Sequence, residues 1–337
     1  MSNPHREAPA DVRALAHQRS AARTSHDWAL ADALRAEIEA AGWKVIDRGT
    51  GFALQPAAPP TVEEDGYVRY GAAAAVPSVL DEPPTAGFTV ELVADDWPDD
   101  LARMLAGLRA HAPAGSHVLV VANNPSPEQA SRLAPGGSDV APIAGLEPEI
   151  VWTSERLGHA AARNVGLRRA RGAIVVLADT SVEPSGDALT PLAEALADPA
   201  VAVAGGFGLV SSDLRRFEDG EDPAVDAVTL DWLAFRRSDG AALGPLDEKF
   251  VYVGSLDIWW SLVLRAGADP ETPARGARRL DLPLERHPHR GWASLSGDQR
   301  DRLSKRNFYR VLERFRDRPD LLSGARAGAT LMPPEPR

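Results

Sequence analysis

The chain has 337 residues, of which 44% are hydrophobic and 25% charged. These are ordinary globular values, with room for one large domain and a small one. A net charge of −11 argues against a general nucleic-acid-binding surface, and the absence of cysteine excludes disulfides, thiolate catalysis and cysteine zinc sites. The cytoplasm is the expected compartment. The opening MSNPHREAPADVR is charged and has no apolar core, so no secretory signal is expected, and no apolar run is long enough to span a bilayer.

Residues 9–55 read as a small separate unit. Asp11 to Thr24 and Asp27 to Ala41 are helix-compatible. In the second run Trp28, Ala31, Leu34, Ile38 and Ala41 fall three or four apart and give one apolar face. Gly42 is placed to close that helix. Lys44 to Ile46 and Phe52 to Leu54 flank a Gly-containing turn, which predicts a β-hairpin. Residues 56–85 are rich in Pro, Ala and acidic residues and read as a linker.

The main domain is expected over 86–318, with 319–337 as a flexible tail. Phe88 to Val93 and His117 to Ala122 are buried-strand patterns on either side of a helix from Pro98 to Leu108. Residues 127–148 read as a loop. Glu149 to Trp152 is a short strand, His159 to Arg171 a helix with Gly172 as its stop, and Ala173 to Leu177 a strand buried on both faces. That strand ends at Asp179-Thr180-Ser181. Repeated strand, helix, strand units predict an α/β fold with a mostly parallel sheet, its chemistry at the strands' C-terminal ends. Further on, Leu189 to Leu196 reads as a helix, Val201 to Ala204 as a strand and 211–226 as a polar loop over the site. Asp281 to Leu284 reads as a short strand and 298–316 as a basic amphipathic helix. From 271 to 318 there are 13 Arg and Lys against 7 Asp and Glu, a net-positive segment in an acidic chain.

The run Arg156-Leu157-Gly158, Ala162-Arg163-Asn164-Val165-Gly166, then Asp179-Thr180-Ser181, resembles the sugar-nucleotide-binding core of the inverting family 2 glycosyltransferases. There the sequence is Asn-x-Gly, Ala-Arg-Asn-x-Gly and a strand ending in Asp-x-Asp. Gly244 to Phe250 (GPLDEKF) resembles that family's Gly-x-Phe-Asp-Glu-x-Phe. The resemblance implies a GT-A-like, Rossmann-related fold that moves a sugar from a nucleotide-diphosphate sugar to an acceptor hydroxyl. The acceptor is unknown.

The resemblance also implies roles for named residues. Val93, Ala94 and Asp95 stand where a loop lies against the nucleotide base, with Asp96 as the alternative to Asp95. Where the family has a base-binding aspartate this chain has Ala122, with Asn123 beside it. Gly158 and Thr180 belong to the nucleotide-sugar site. Arg163 pairs with the diphosphate, or is an exposed helix charge. Asp179 and Ser181 hold Mg2+ or Mn2+, joined by His287 or His289, although Ser181 replaces a carboxylate. Asp257 is the general base, or a helix cap. Three matched losses (at Ala122, Ser181 and Ser255) make a catalytically weakened binding or regulatory protein the alternative reading.

Ala22-Arg23, Asp27-Trp28, Ala31-Asp32, Leu34-Arg35, Gly42, Asp47 and Gly51 resemble the C-terminal tail of cysteinyl-tRNA synthetases. No His-Ile-Gly-His or Lys-Met-Ser-Lys-Ser occurs, so aminoacylation is not implied. Up to Leu54, seven basic residues face seven acidic ones, too even a balance for strong RNA backbone binding. A packing or protein-contact role is expected for this unit, with a tRNA-linked role as a weaker alternative.

Overall fold

The computed structural model describes residues 8–323, apart from 49–50, 58, 65, 141–146 and 270–271. The chain divides into two compact units, Met1–Ala72 and Ala73–Arg337.

The first unit holds helices α1 (Ala10–Thr24) and α2 (Trp28–Ala40) and strands β1 (Trp43–Arg48), β2 (Gly51–Pro56), β3 (Val62–Glu64) and β4 (Tyr67–Tyr70). β1 pairs antiparallel with β2, and β3 with β4. The helices cross over a core of Val12, Ala16, Ile38 and Trp43. Asp27 caps α2, accepting from the Leu30 amide at 3.1 Å. Gly42 follows the helix with a φ of +78°, as a left-handed stop requires. Ala31, Leu34 and Ile38 are buried as their spacing predicts, but Trp28 is 56% exposed. It stands at the first helical position, beyond the end of the buried stripe. Buried Arg19 and exposed Arg23 both donate to Asp47, at 2.9 and 2.7 Å. That tie joins α1 to β1, and the Arg19 hydrogen bond holds the Asp47 carboxyl below its usual range.

The second unit begins with β5 (Ala86–Ala94), α3 (Pro98–His111), β6 (His117–Ala122), α4 (Pro127–Leu133), β7 (Glu149–Thr153), α5 (His159–Leu167) and β8 (Gly172–Ala178). It continues with β9 (Val182–Pro184), α6 (Thr190–Ala197), β10 (Val201–Gly205), β11 (Gly208–Val210), β12 (Glu218–Gly220), β13 (Ala224–Val225), β14 (Ala227–Val228) and β15 (Trp232–Arg236). Then come α7 (Arg237–Leu243), α8 (Leu256–Ala266), β16 (Gly276–Arg279), β17 (Leu284–Arg286), α9 (Arg290–Ala293) and α10 (Gly297–Phe315).

β7, β6, β5 and β8 lie side by side and parallel. β15 runs antiparallel to β8 and β10 antiparallel to β15, while β16 is parallel to β10. This is the mostly parallel sheet that the strand-helix-strand pattern predicts. Its strands are continuous apolar runs because helices cover both faces. The register sets the strand ends level: Ala94 lies beside Ala122, and Ala122 beside Trp152. The residues that follow, Asp95, Asn123 and Thr153, therefore share one edge with Asp179. No described helix is long and apolar enough to cross a membrane.

Several local readings change. Within the expected linker, 62–70 contains the β3–β4 pair. Residues 73–85 are tied into the second unit, with Val76 and Val79 buried and the Val79 amide donating to Arg168 O at 2.8 Å. Residues 127–133 are a helix, because Ser126 caps it and Pro127 suits its first turn. The 211–226 loop contains β12 and β13, and none of it borders the cavity described below. The short strand near 281–284 forms later, as β17. Leu321 and Leu322 of the expected tail are buried; 324–337 lie outside the described residues.

α5 stops at Leu167, earlier than expected, and Gly172 is the first residue of β8. A Cβ at Gly172 would lie 2.2 Å from the Phe88 carbonyl carbon and the Thr89 nitrogen. Its role is therefore close approach of β8 to β5, not a left-handed helix stop. Gly172→Ala should lower the unfolding free energy by about 1–3 kcal/mol, the usual range for overpacking, read from urea denaturation.

Candidate functional site

The C-terminal edge of the parallel strands opens into a cavity of about 360 Å³. Val93, Asp95, Asn123, Arg163, Asp179, Thr180, Ser181 and His289 all line it. One cavity thus gathers eight of the residues expected from the sequence. Ala94, Gly158, Asp257 and His287 are not among its lining residues.

Asp179 directly follows β8, and its amide donates to Asp231 O at 3.1 Å. Its Oδ1 accepts from the Ser181 amide at 2.8 Å, a tight local turn. Its Oδ2 lies 3.4 Å from His289 Nε2. Burial works to raise this carboxyl, but the His289 hydrogen bond and charge, with the Ser181 contacts, hold it well below the usual carboxylate range. The same hydrogen bond raises the His289 pKa against burial. An acid and an imidazole facing each other in a cavity are oxygen and nitrogen donors for a divalent ion. The residues fit such an ion if water and a ligand complete its shell, as they usually do for Mg2+.

His287 faces the other way. It bonds Glu183 at 3.0 Å, and its amide donates to Ser181 O at 2.7 Å, extending the β9–β17 pairing. Ligand atoms of Glu183, Glu285 and His287 lie within 4.8 Å of one another, a second group with metal-like spacing. Of the two histidines that alternate along this segment, His289 is the one that meets Asp179.

Asn123 is buried and committed within the protein. Its Nδ2 donates to Asp95 Oδ1 at 2.7 Å and to Leu157 O at 3.2 Å, and its Oδ1 accepts from the Leu157 amide at 2.8 Å. It therefore places Asp95 and the 156–157 loop, with no amide edge left to read a base. Burial raises the Asp95 carboxyl, opposed by Arg156. Gly158 also serves packing. A Cβ there would lie 3.0 Å from Val251 Cα, so the glycine admits the 250–253 loop, not a ligand.

Arg163 is 1% exposed, although its helix position suggested a surface charge or a diphosphate ligand. Its Nη1 donates to Glu91 O at 3.0 Å and its Nη2 to Ala178 O at 2.9 Å. It sits 3.8 Å from the buried Glu91 carboxyl, which burial pushes up to about 8 against the pull of Arg163. The arginine clamps β5 to β8 beside the cavity.

Asp257 lies in the first turn of α8, following Ser255 in the left-handed region. Its Oδ1 accepts from the Ile258 amide at 2.8 Å. Burial pushes its carboxyl up to about 7, and nearby Asp231 adds to the rise. The loop before it, Val251 to Val253, lines the cavity, although Asp257 itself does not.

Sequence reading passed over other walls. His159 faces the cavity from the first position of α5, and Tyr252 from the 250–253 loop. Trp97, at a φ of +68°, stands under Arg290, whose guanidinium lies 5.7 Å from the ring centre. Arg290 also reaches Asp100 at 3.4 Å, so the segment from His289 to Leu295 closes one side. A histidine directly after the glycine that opens α5 was the available signal for His159. Nothing in the spacing marked Arg290 or Trp97.

Arg163→Met should cost about 3–5 kcal/mol of stability in urea denaturation, because it strands two carbonyls and a buried carboxyl.

Residues 94–251 match the family model Glycosyl transferase family 2. The fold is similar to that of GalNAc-T7 in a crystal structure with UDP, GalNAc and Mn2+: TM-score 0.53 and 14% identity, over 69% of this chain and 49% of that one. A weaker likeness, TM-score 0.47 and 21% identity, is to mannosyltransferase PcManGT from Pyrobaculum calidifontis in complex with GDP-Man and Mn2+, over 77% of this chain and 79% of that one. Separately, the chain is 56% identical over 54 residues to a cysteine–tRNA ligase of Opitutus terrae, 16% of this chain and 12% of that protein. The chain thus spans about half of the first structure and a small part of the ligase. Over residues 94–251 it is similar to the family 2 glycosyl transferases, and its fold is the GT-A arrangement of a mostly parallel sheet flanked by helices.

Proposed function

We propose that the second unit is an inverting glycosyltransferase that moves a sugar from a nucleotide-diphosphate sugar to an acceptor hydroxyl. The observation that carries the reading is the Asp179–His289 pair in a cavity at the strand ends, where Asp179 belongs to the segment that matches the family model and His289 comes from beyond it. The acceptor oxygen attacks the anomeric carbon as the bond from that carbon to the diphosphate oxygen breaks. The attack comes from the opposite face, so the configuration inverts. The acceptor proton passes to Asp257, whose raised pKa suits a base working near neutrality. Asp179 and His289 would hold Mg2+ or Mn2+, which neutralises charge on the leaving diphosphate. Asp95, placed by Asn123, and Val93 form the nucleotide end of the cavity.

A second reading is a binding or regulatory protein with weakened catalysis. It is favoured by Asp257 standing off the cavity walls and by Ser181 replacing a carboxylate. For the first unit we propose a protein-contact role in the cytoplasm. The ligase likeness keeps tRNA as the alternative partner, and a gel shift by the intact chain that disappears on deleting residues 1–56 would favour it.

UDP- and GDP-sugars with Mg2+ or Mn2+ provide the first test, by calorimetry and by hydrolysis. Absence of both binding and turnover sinks the transferase reading. Asp179→Asn should abolish ion-dependent binding. Asp257→Asn should bind donor but lose turnover by about 10²-fold or more; turnover unchanged in that variant would reject Asp257 as the base.

The pH dependence follows from the same group. The base acts only when deprotonated, so kcat/KM should rise with pH and level off above about 7. A profile flat from pH 5 to 8 would contradict the assignment.

A further inference from the structure

Three cavity residues carry a buried polar atom without a partner: Arg163, whose Nε is idle while its other nitrogens bond two carbonyls, and His159 and Tyr252. His159 Nε2 and Tyr252 Oη are shut off from water, and neither has a hydrogen-bond partner among the described residues. Both residues line the cavity. A buried polar atom left unpaired destabilises the protein, so it calls for an explanation, and a ligand that completes the bond is one.

The main chain places the two residues on neighbouring segments. The His159 amide donates to Val251 O at 2.9 Å, and the Ala160 amide to Phe250 O at 3.1 Å, which docks the Tyr252 loop on the start of α5. The close approach at Gly158 permits that docking. Tyr252 is fixed on two further sides. Its ring stacks on Trp292 with centres 5.6 Å apart and planes at 22°, and its carbonyl accepts from Asn307 Nδ2 at 2.8 Å. Neither group is a floppy surface side chain.

Their chemistry excludes some ligands. Burial pushes the His159 imidazole down to about 3 and the Tyr252 phenol up to about 12, so both are uncharged near neutrality. A phosphate favours cations or arrays of N–H donors. A neutral imidazole and a phenol, each able to donate or accept, suit a neutral hydroxyl.

We infer that His159 Nε2 and Tyr252 Oη are a hydroxyl-reading pair that binds the ring hydroxyls of a sugar. The inference rests on the proposed function only in naming what enters the cavity. Those hydroxyls belong either to the ribose of a nucleotide or to the transferred sugar. Desolvated groups of this kind reject analogues that lack the hydroxyl, so the pair selects among donors.

The test uses the full chain with 15N-labelled histidine, the His159 ring signals being assigned with His159→Gln. Methyl β-ribofuranoside, methyl α-glucopyranoside, methyl α-mannopyranoside, and UDP-glucose and GDP-mannose with Mg2+ are titrated in. At least one probe should move the His159 signals, and Tyr252→Phe, which keeps the ring on Trp292, should weaken that probe about tenfold. A response to the ribofuranoside assigns the ribose; a response to a pyranoside assigns the transferred sugar. Both support the pair. If no probe moves the His159 signals, or if both variants bind as the natural chain does, the inference is overturned. Asp179-dependent binding of a nucleotide sugar that leaves His159 unmoved would overturn the pair alone. Glycoside binding at His159 without any nucleotide-sugar binding would keep the pair and overturn the transferase reading.

Discussion

One buried arginine sets the geometry of the site. Arg163 crosses from α5 under the sheet edge and donates to the carbonyls of Glu91 and Ala178. Glu91 lies three residues before the end of β5, and Ala178 is the last residue of β8. The guanidinium therefore fixes the two strand ends that release Asp95 and Asp179. A lysine offers one compact charge, whereas the planar fork of arginine reaches two separate carbonyls at once. Gly166, one helical turn on, lets α5 lie against Glu91, since a Cβ there would meet its carboxyl at 2.4 Å. The strand ends, the helix and the cavity wall form one mechanical unit.

A second tie runs through the 244–254 loop. Asn164, next to Arg163, exchanges hydrogen bonds with Leu246, donating to its carbonyl at 2.9 Å and accepting from its amide at 2.8 Å. The loop then returns over the start of α5 at Phe250 and Val251. Asn307 of α10 holds the carbonyls of Tyr252 and Gly254, both at 2.8 Å. The basic helix near the C-terminal end thus acts on the site by holding a loop. Its apolar side, Val311 and Phe315, is buried in the core behind it.

The architecture and the site's place were legible because both rest on patterns that repeat. Continuous apolar runs marked the central strands, and the carboxylate after β8 marked the edge where chemistry collects. What stayed hidden was how each polar side chain uses its hydrogen bonds. Helical spacing shows Arg163 as polar but cannot show that two carbonyls lie within reach of it. The same limit applies to Asn123, which reads as a base contact until Asp95 and Leu157 are seen to occupy it. Alternation placed His287 and His289 on one side of an extended strand. The strand ends at Arg286, and His289 instead caps α9, accepting from the Trp292 amide at 3.0 Å. Gly158 and Gly172 show a related ambiguity, since a glycine marks a close approach without saying what approaches.

The charges of the cavity bear on how a diphosphate would be held under the proposed function. Asp96 is paired with Arg156 at 2.7 Å, Asp100 with Arg103 and Arg290, and Asp179 with His289. Arg163 is engaged with two carbonyls beside Glu91. Each positive group in these pairs already faces an acid or a carbonyl. A dianion entering this space would have to break such pairs or bring its own counter-charge. Asp100 is buried, so losing its partners would leave a carboxylate unpaired, whereas the half-exposed Asp96–Arg156 pair is worth little. A divalent ion avoids that exchange, because it adds positive charge at Asp179 and leaves the other pairs in place. The single carboxylate at that position is then less of a deficit than the Asp-x-Asp pattern suggests. Under the proposed function His289 would supply the second donor, and the diphosphate oxygens part of the rest.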